Sequence, residues 1–587
     1  MPARKKANRA AHPPAFPCTQ ARPLKNRGLR LIFFADPLRC AMSPPCGRPS
    51  CGAVAAWRCF ADLARMCGGT YLLSLQPGIL SPGVMNMKSI WLETAGRPKK
   101  RAPLAQNLQV GVAVIGGGMA GVLTAYLLGK RGMDCAVFEA AEIGGGQTKG
   151  TTAKITSQHG LIYGQLVEQF GADKARQYAH ANQQAVTQYR TVAEELDIAC
   201  DFVLQDAYLY SLRSRDELLA EAKTAAALGL PASFTESVDL PFETVGAVRF
   251  ANQAQFHPLK FLYAVSERVR VFEHSPVQRV DGNTLYVNGQ TVTADKIVFA
   301  THYPFVNMPG YYFARMYQSR AYSLALENAG PLDGMYIGTG DSPLSLRAYK
   351  DALILCGMDH RTGENSAGGR YDSLRETARS LYPGSREIAH WSAQDCVTPD
   401  DVPYIGRYCT TQPDWYVATG FNKWGMSSSM AAAQILCDSI TGRENANADI
   451  FSPQRFNLPT FTGVLDCGGQ AVKGLSREHL SVPQETLDAL PAGHGGVVLV
   501  EGEKVGVYKE PNGQTHLVAT RCPHLGCQLE WNPDEKSWDC PCHGSRFDFQ
   551  GRLIDNPAQQ NLRDAPDGPE NTPSYAGVDR FDRPQAH

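Results

Sequence analysis

The chain has 587 residues, of which 43% are hydrophobic and 19% charged, and its formal net charge is zero. This length exceeds what one hydrophobic core supports, so we expect about two to four domains. The absence of an apolar run of about 18 residues argues against a membrane-spanning helix, and the balanced charge lacks the basic excess of nucleic-acid-binding proteins.

Residues 1–86 differ in composition from the rest of the chain. They contain 12 basic residues against Asp36 and Asp62, together with 11 prolines and six cysteines. An Arg-rich, acid-poor start is typical of a transit peptide, but the cysteines and prolines suit one badly. We therefore expect a disordered or spurious extension, with the working protein starting at Met85 or Met87. The remaining 45 basic and 55 acidic residues give that body a net charge of −10.

A glycine-rich turn lies between a predicted strand over 110–115 and a predicted helix over 119–130. Gly116, Gly118 and Gly121 form a G-x-G-x-x-G motif there. The first glycine permits a tight turn, the second lets the backbone approach a pyrophosphate, and the third lets the helix pack on the strand. The helix N-terminus offers free N–H groups and a positive dipole to phosphate.

A second predicted strand, over 135–138, ends at Glu139, 18 residues after Gly121. A carboxylate at this point can accept hydrogen bonds from an adenosine ribose. Strand, turn, helix, strand and acid together predict a dinucleotide site, whereas an isolated glycine motif can equally be a structural turn. The motif does not decide between NAD and FAD.

Two later segments are typical of the far side of such a domain. One is a predicted strand that ends at Ala300, Thr301 and His302. The other is a strand, a glycine turn over 420–425 and a helix of small residues. This second segment could also bind a phosphate, because a glycine turn again leads into a helix N-terminus.

Residues 105–440 resemble the FAD-dependent amine and amino-acid oxidase superfamily, which includes glycine and sarcosine oxidases and D-amino-acid dehydrogenases. The resemblance implies a Rossmann-like unit that binds the ADP half of FAD, and a substrate domain built on an antiparallel sheet. It also implies these cofactor-binding residues: Gly116, Gly118, Gly121, Glu139, Thr301, Asp400, Gly406, Gly420, Phe421, Asn422 and Gly425. Residues 393–396, Ala-Gln-Asp-Cys, replace an arginine-containing segment of the family.

Candidate catalytic residues are Lys423, inside the flavin-facing turn, together with His302 and Arg347. An arginine in the substrate half could clamp a carboxylate in bidentate fashion. Further polar candidates for the pocket are Tyr303, Arg315, Arg320, Tyr322, His360, Asp206 and Tyr208. For each of these residues a structural or surface role is the alternative.

Four cysteines and two histidines lie within the 22 residues 522–543. Cys522 and His524 form a C-x-H pair, and Cys540 and His543 form a C-x-x-H pair. Zinc fingers place a cysteine pair before a histidine pair. One thiolate and one imidazole from each of two loops instead suit a Rieske [2Fe-2S] centre, in which cysteines hold one iron and histidines the other. A zinc site and a cysteine-stapled hairpin remain alternatives.

The segment closely resembles the Rieske domain, whose pattern is C-x-H-x-G-C and C-x-C-H-G-S. The resemblance implies a disulfide between Cys527 and Cys542, which is unusual for the cytoplasmic location we expect. Ser545 is present, but Phe547 stands where high-potential members have a tyrosine. Loss of that hydroxyl predicts a lower potential than in respiratory complexes, within roughly −150 to +300 mV.

These segments predict an α/β Rossmann-like FAD-binding domain with an α+β substrate domain, followed by a small all-β Rieske domain. We place the oxidoreductase domain at 87–460, a linker at 461–480, the Rieske domain at 481–564 and a flexible tail at 565–587. Bacterial flavin–Rieske fusion proteins have a similar combination of domains.

The predicted function is an FAD-dependent dehydrogenase that oxidises an amine or amino-acid-like substrate. Electrons would pass singly through the cluster to or from a partner protein or quinone. One alternative is a relay between protein partners without a metabolite substrate. Another is a Rieske oxygenase, which needs a mononuclear iron site, and the sequence shows no obvious 2-His-1-carboxylate arrangement.

Overall fold

The computed structural model describes residues 88–96, 98–340, 344–455, 490–500 and 503–563. The predicted extension at 1–86, the linker at 461–480 and the tail at 565–587 lie outside the described residues.

An eight-stranded sheet forms the nucleotide-binding half of the protein. Its apolar strands are buried on both faces, which suits a parallel sheet covered by helices. The strands are β1 (Leu108–Ile115), β2 (Cys135–Phe138), β7 (Arg270–Phe272), β8 (Val277–Asp281), β9 (Thr284–Val287), β10 (Gln290–Phe299), β16 (Tyr404–Cys409) and β17 (Gln412–Thr419). The order is β16-β17-β10-β1-β2-β7, with β9 between β10 and β8. The pairs from β17 through to β7 are parallel, so the carboxyl ends of β1, β2 and β10 meet at one edge.

A nine-stranded, mainly antiparallel sheet forms the second half. Its strands are β3 (Lys154–Ile155), β4 (Val203–Ser211), β5 (Ala232–Thr235), β6 (Gly246–Gln255), β11 (Tyr317–Glu327), β12 (Met335–Gly338), β13 (Ser345–Tyr349), β14 (Ala352–Arg361) and β15 (Arg386–Val397). The order is β15-β11-β14-β13-β12-β4-β6-β3, with β5 paired to β6.

Helices cover the two sheets. They are α1 (Ile90–Thr94), α2 (Met119–Lys130), α3 (Tyr163–Phe170), α4 (Ala172–Glu195), α5 (Arg215–Ala227), α6 (Pro258–Ser266), α7 (Arg370–Leu381) and α8 (Gly425–Ile440). The central pair, α2 and α8, is almost entirely apolar or small and packs into the largest core cluster. No helix in the described part of the chain is both long and apolar enough to cross a membrane.

The C-terminal domain consists of two small antiparallel sheets. The first contains β18 (Gly495–Val500), β19 (Glu503–Lys509) and β20 (Thr515–Ala519). The second contains β21 (Glu530–Asn532), β22 (Ser537–Asp539), β23 (Arg546–Asp548) and β24 (Leu553–Asp555). Its own core includes Trp531, Trp538 and Phe547. The predicted fold class is therefore confirmed: an α/β nucleotide-binding half, an α+β half and a small all-β domain.

Candidate active site and metal centre

The turn between β1 and α2 is built by two close backbone approaches. Gly116 has φ +108°, and a Cβ there would lie 2.4 Å from the carbonyl oxygen of Ala300. A Cβ on Gly121 would lie 2.0 Å from the carbonyl oxygen of Gly116. Both positions therefore require glycine. Gly118 precedes the first turn of α2 and lines the adjacent cavity, as expected of a residue that faces a pyrophosphate.

Glu139 lies at the end of β2 and fixes this turn. Its Oε2 accepts a hydrogen bond from the N–H of Gly117 at 2.6 Å, and its Oε1 accepts one from the N–H of Ala141 at 2.8 Å. Burial raises the pKa of this carboxyl. Because Glu139 also lines the cavity, its carboxylate can reach a ribose bound there.

One cavity of about 770 Å³ runs from this turn to the antiparallel sheet. Its walls include the glycine turn after β1, the segment after β10, the turn that leads into α8, and strands β13, β14 and β15. The predicted residues that line it are Gly116, Gly118, Glu139, Thr301, His302, Gly420, Phe421, Asn422, Lys423 and Gly425. A cavity that joins a glycine turn at a helix N-terminus to a second sheet could hold an extended dinucleotide.

The four predicted cluster ligands lie in two matching loops. Cys522 and His524 follow β20, and Cys540 and His543 follow β22. In each loop the cysteine carbonyl accepts a hydrogen bond at 2.9 Å from the N–H of a glycine four residues later. The two histidine rings are 4.9 Å apart and nearly perpendicular, at 88°. The loops thus bring two imidazoles and two buried thiols to one point.

The nitrogen chemistry of the two histidines fits a metal cluster. The Nδ1 atoms of His524 and His543 are buried and have no hydrogen-bond partner. The Nε2 of His524 instead donates to Oδ1 of Asn307 at 2.8 Å, which leaves Nδ1 as the free donor atom. Burial lowers the pKa of His524 to about 4 and that of His543 to about 3, so both rings are neutral as metal ligation requires.

The sulfur atoms divide into two sets. Cys527 and Cys542 form a disulfide that joins the two loops. The Sγ of Cys540 lies within 4.8 Å of both disulfide sulfurs, but these two are bonded to each other and are not thiolate ligands. A hydrogen bond between the thiols of Cys522 and Cys540 raises the pKa of the first and lowers that of the second. Cys522 and Cys540 are the free cysteines of these two loops, so they are the thiols that could hold an iron.

Comparison with known proteins divides the chain into the same two domains, an oxidoreductase domain and a Rieske domain. Residues 111–439 match the FAD dependent oxidoreductase family, and residues 482–567 match the Rieske [2Fe-2S] domain. The chain belongs to the FAD dependent oxidoreductase family. As an oxidoreductase of this family it uses FAD, and its C-terminal Rieske domain carries a [2Fe-2S] cluster.

Curated relatives show the same combination or one part of it. The chain is 34% identical over 494 residues to the Rieske 2Fe-2S iron-sulfur protein YhfW of Bacillus subtilis (strain 168), covering 81% of this chain and 97% of that protein. It is 30% identical over 146 residues to the cytochrome b6-f complex iron-sulfur subunit 2 of Trichormus variabilis, covering 24% of this chain and 79% of that subunit.

Solved structures share the fold of the FAD dependent oxidoreductase part. A glycine oxidase from Geobacillus kaustophilus superposes with a TM-score of 0.51 at 18% identity, covering 60% of this chain and 99% of that one. An L-proline dehydrogenase from P. horikoshii gives a TM-score of 0.51 at 16% identity, covering 60% and 98%. At this identity the likeness establishes the fold alone.

Several residues that the resemblance assigned to FAD or substrate lie away from the cavity of this FAD dependent oxidoreductase. Asp400 is fully buried, and both its carboxylate oxygens accept hydrogen bonds at 2.8 Å from Arg455. Gly406 lies within β16. Gly121, inside α2, also does not line the cavity, but it makes the close helix–strand approach that its place in the motif predicts. Arg347 is buried in β13 and donates to the main-chain carbonyls of 152 and 153 at 3.0 and 2.7 Å. Its guanidinium is thus occupied by the backbone, which argues against the predicted contact of Arg347 with substrate.

The other polar candidates also serve the fold of this FAD dependent oxidoreductase rather than line the cavity. These residues are Tyr303, Arg315, Arg320, Tyr322, His360, Asp206 and Tyr208. Arg315 donates to the carbonyl of Pro453 at 2.5 Å, and Arg249 donates to the carboxylate of Asp206 at 2.6 Å. The sequence shows that these residues are polar, but it does not show which of their side chains would face the cavity.

His302 and Asn422 are two predicted residues that do face the cavity. His302 has φ +66°, and its Nε2 is buried without a hydrogen-bond partner. Burial lowers the pKa of His302 to about 4, so the ring is neutral. Asn422 holds the turn in place, because its Oδ1 accepts from the N–H of Thr398 at 3.0 Å and its Nδ2 donates to the carbonyl of Asp401 at 2.9 Å.

Sequence reasoning missed four acidic or basic residues in the cavity: Lys154, Asp359, Asp395 and Asp555. Asp359 forms an ion pair with Lys423. Asp395 lies in the segment that replaces the family's arginine, and burial raises its pKa to about 7. The described residues offer its carboxyl group no hydrogen bond. The departure at 393–396 was the one sequence signal that pointed to this region.

The Rieske domain packs directly against this cavity. Nδ2 of Asn556 donates to the carbonyls of Thr301 and Tyr303, each at 2.8 Å. Nε2 of Gln318, a fully buried residue of β11, donates to the carbonyl of His543 at 2.7 Å and to that of Asn556 at 3.1 Å. The segment of Thr301, which lines the cavity, and the predicted cluster ligand His543 are therefore joined through two amide side chains.

A buried ion pair strengthens the same interface. Nε and Nη2 of Arg320 donate to the two carboxylate oxygens of Glu535, each at 2.7 Å. Only 2% of the Arg320 side chain and 5% of the Glu535 side chain are exposed. This bidentate pair explains why Arg320 is unavailable to a substrate.

Proposed function

We propose that this protein is a dehydrogenase that oxidises an amine or amino-acid substrate and passes the electrons singly through its Rieske cluster to a partner protein or quinone. One observation carries the proposal. The cavity that is lined by the flavin-facing turn over 420–425 is also lined by Leu553 and Asn556 of the Rieske domain. This shared lining supports the proposal, because a substrate site, a flavin site and a cluster domain would then adjoin in one chain.

FAD accepts two electrons as a hydride and a Rieske cluster carries one electron at a time, so the bound pair converts a two-electron oxidation into single-electron transfers. The residues of the chain itself hold the two parts in place and accept the proton of the substrate. Amide side chains of Gln318 and Asn556 hold the loop of His543 against the segment that contains Thr301. This packing joins the loop of His543 to a wall of the cavity.

Asp395 is the candidate proton acceptor in the cavity. An amine that loses hydride from its carbon must carry its lone pair, so the ammonium form has to give up a proton first. Burial raises the pKa of Asp395 to about 7, and a carboxylate of that pKa accepts a proton near neutral pH. Lys423 is tied to Asp359 and supports this end of the cavity electrostatically.

An anaerobic titration of the purified protein with amines, amino acids and 2-hydroxy acids tests the proposal. Flavin absorbance and the low-temperature EPR signal of the reduced cluster are followed in the same sample. We expect one class of compound to bleach the flavin, with growth of the Rieske signal afterwards. If dithionite produces the Rieske signal but no compound does, the proposed metabolite oxidation is wrong and a relay between protein partners takes its place.

A further inference from the structure

Lys154 is a buried cation without a carboxylate partner. It lies in β3, 9% exposed, and its side chain lines the cavity. Its Nζ donates to Oγ of Ser345. Within the described ranges no Asp or Glu oxygen lies within 4.0 Å of that nitrogen, in contrast to Lys423, which is paired with Asp359.

Arg347 places a second positive charge behind Lys154. Its guanidinium donates to the carbonyls of Thr152 and Ala153, the two residues that precede Lys154. It also has no carboxylate partner in the described part of the chain. Burial lowers the pKa of Arg347 to about 9 and that of Lys154 to about 7, and the two charges repel each other. Two uncompensated cations in a desolvated position are costly unless an anion joins them.

The neighbouring groups supply no such anion. Cys356 lies opposite Ser345 in the β13–β14 pair and also lines the cavity. Burial raises the pKa of this thiol to about 11, so it stays neutral at physiological pH. The carboxylate of Asp359 is already neutralised by Lys423. The end of the cavity next to Lys154 is therefore electropositive and open to a ligand.

We propose that Lys154, supported by Ser345 and backed by the charge of Arg347, binds the carboxylate of the substrate. This inference rests on the proposed function and narrows its substrate class from amines in general to amines that carry a carboxylate. It assigns to Lys154 the carboxylate-binding role that sequence analysis offered to an arginine of the substrate half. The lysine binds as a point charge, and Ser345 orients its ammonium group.

Ligand binding to the FAD-loaded protein tests this role without turnover. The probes are benzoate and its uncharged analogue benzamide, each titrated while the flavin absorbance is recorded. In Lys154→Met we expect the Kd of benzoate to rise on the order of thirtyfold or more, because a charge partner is removed from a buried site. The Kd of benzamide should stay unchanged. Lys154→Arg should retain most of the benzoate affinity.

The matched control is Lys296→Met, because Lys296 is paired with Asp414 and does not line the cavity. It should bind benzoate as the wild type does. Benzoate affinity of the wild type should fall as pH rises from about 6 to about 9, since only protonated Lys154 attracts the anion. This pH dependence should be weaker in Lys154→Met, which keeps only the titration of Asp395 in the same cavity, and absent in the double variant Lys154→Met/Asp395→Asn. The other cation at this end, Arg347, stays charged over most of the range.

Two results would overturn the inference. The first is no binding of benzoate to the wild type, and the second is equal binding by wild type and Lys154→Met. If the second is accompanied by a lowered flavin potential in Lys154→Met, the lysine serves the flavin and not a ligand carboxylate. Both results are independent of turnover, so they remain distinct from a failure to find any oxidisable amine.

Discussion

At the scale of single residues, burial sets the charge of the groups that face the cavity. Asp395 and Lys154 have ordinary pKa values several units apart, yet burial brings both to about 7. Each group can thus exchange a proton under physiological conditions. Perturbed values of this kind cluster where proton transfer or ligand binding takes place.

Asp395→Asn should stabilise the protein in a pH-dependent way. The folded state raises the pKa of Asp395 to about 7, above its unfolded value of about 3.9, so folding disfavours the charged carboxylate. This penalty is absent below about pH 4, grows as pH rises, and is complete above about pH 7. We expect the gain in Tm of Asp395→Asn over the wild type to increase steadily across that interval. The control Asp414→Asn, which breaks an ion pair with Lys296, should show no such gain.

Phe547→Tyr should raise the midpoint potential of the cluster. Phe547 is fully buried in β23 beside the loop of Cys540 and His543. A tyrosine hydroxyl at this position can add a hydrogen bond on the sulfur side of the cluster and thereby favour its reduced form. Potentiometric titration followed by EPR measures the change. A potential that is unchanged, or changed equally by the control Phe549→Tyr, would contradict the expectation.

At the scale of elements, the two cluster loops depend on each other. Neither loop contains regular structure at its ligands, and the Cys527–Cys542 disulfide joins them directly. Each loop supplies one thiol and one imidazole. A change in the spacing of the loops therefore alters both iron sites together.

The double variant Cys527→Ser/Cys542→Ser tests this dependence. The disulfide closes a sequence separation of 15 residues, for which the chain-entropy account gives about 3 kcal/mol. We expect the free energy of unfolding of the Rieske domain to fall by about that amount, and the cluster to be released at lower temperature. Calorimetry and the EPR signal after heating measure the two effects. If the free energy of unfolding and the temperature of cluster release both stay at the wild-type level, the loops are held by packing alone.

Some elements were predictable from sequence, and others were not. The strand, turn, helix and second strand over 108–138 follow the predicted pattern closely, because their signals are local: an apolar run, glycines and helical spacing. The motif that contains the predicted ligands, from Cys522 to His543, is equally local. The role of Arg347 was not predictable, because it depends on whether a side chain of β13 points to the cavity or to the backbone of residues 152 and 153. Lys154 escaped notice for the same reason.

At the scale of the whole molecule, the oxidoreductase and Rieske parts form an extensive interface. Buried amides, the Arg320–Glu535 pair and the hydrogen bond from His524 to Asn307 all cross it. Because these polar groups are well paired, they fix the surface of the oxidoreductase part in one arrangement against that of the Rieske part. The interface thus holds the two parts together, as the proposed electron exchange within one chain requires.

Glu535→Ala should weaken this interface strongly. It leaves Arg320, which is 2% exposed in its side chain, buried without its bidentate partner. Breaking a buried pair in this way costs about 3–5 kcal/mol. The exposed control Glu195→Ala, which removes the partner of Lys130, should cost at most about 1 kcal/mol. Calorimetry should show separate unfolding of the two parts in Glu535→Ala, and a single unchanged transition would contradict the importance of this pair.

The central claim is that flavin and cluster exchange electrons inside a single chain across this interface. The most direct test is rapid mixing of the oxidised protein with a substrate identified by titration, with freeze-quenching and EPR of the cluster at several protein concentrations. The account predicts that the Rieske signal grows at a rate that is independent of protein concentration and that falls when Gln318 is replaced by leucine. A rate proportional to protein concentration would show exchange between separate molecules and would contradict the account.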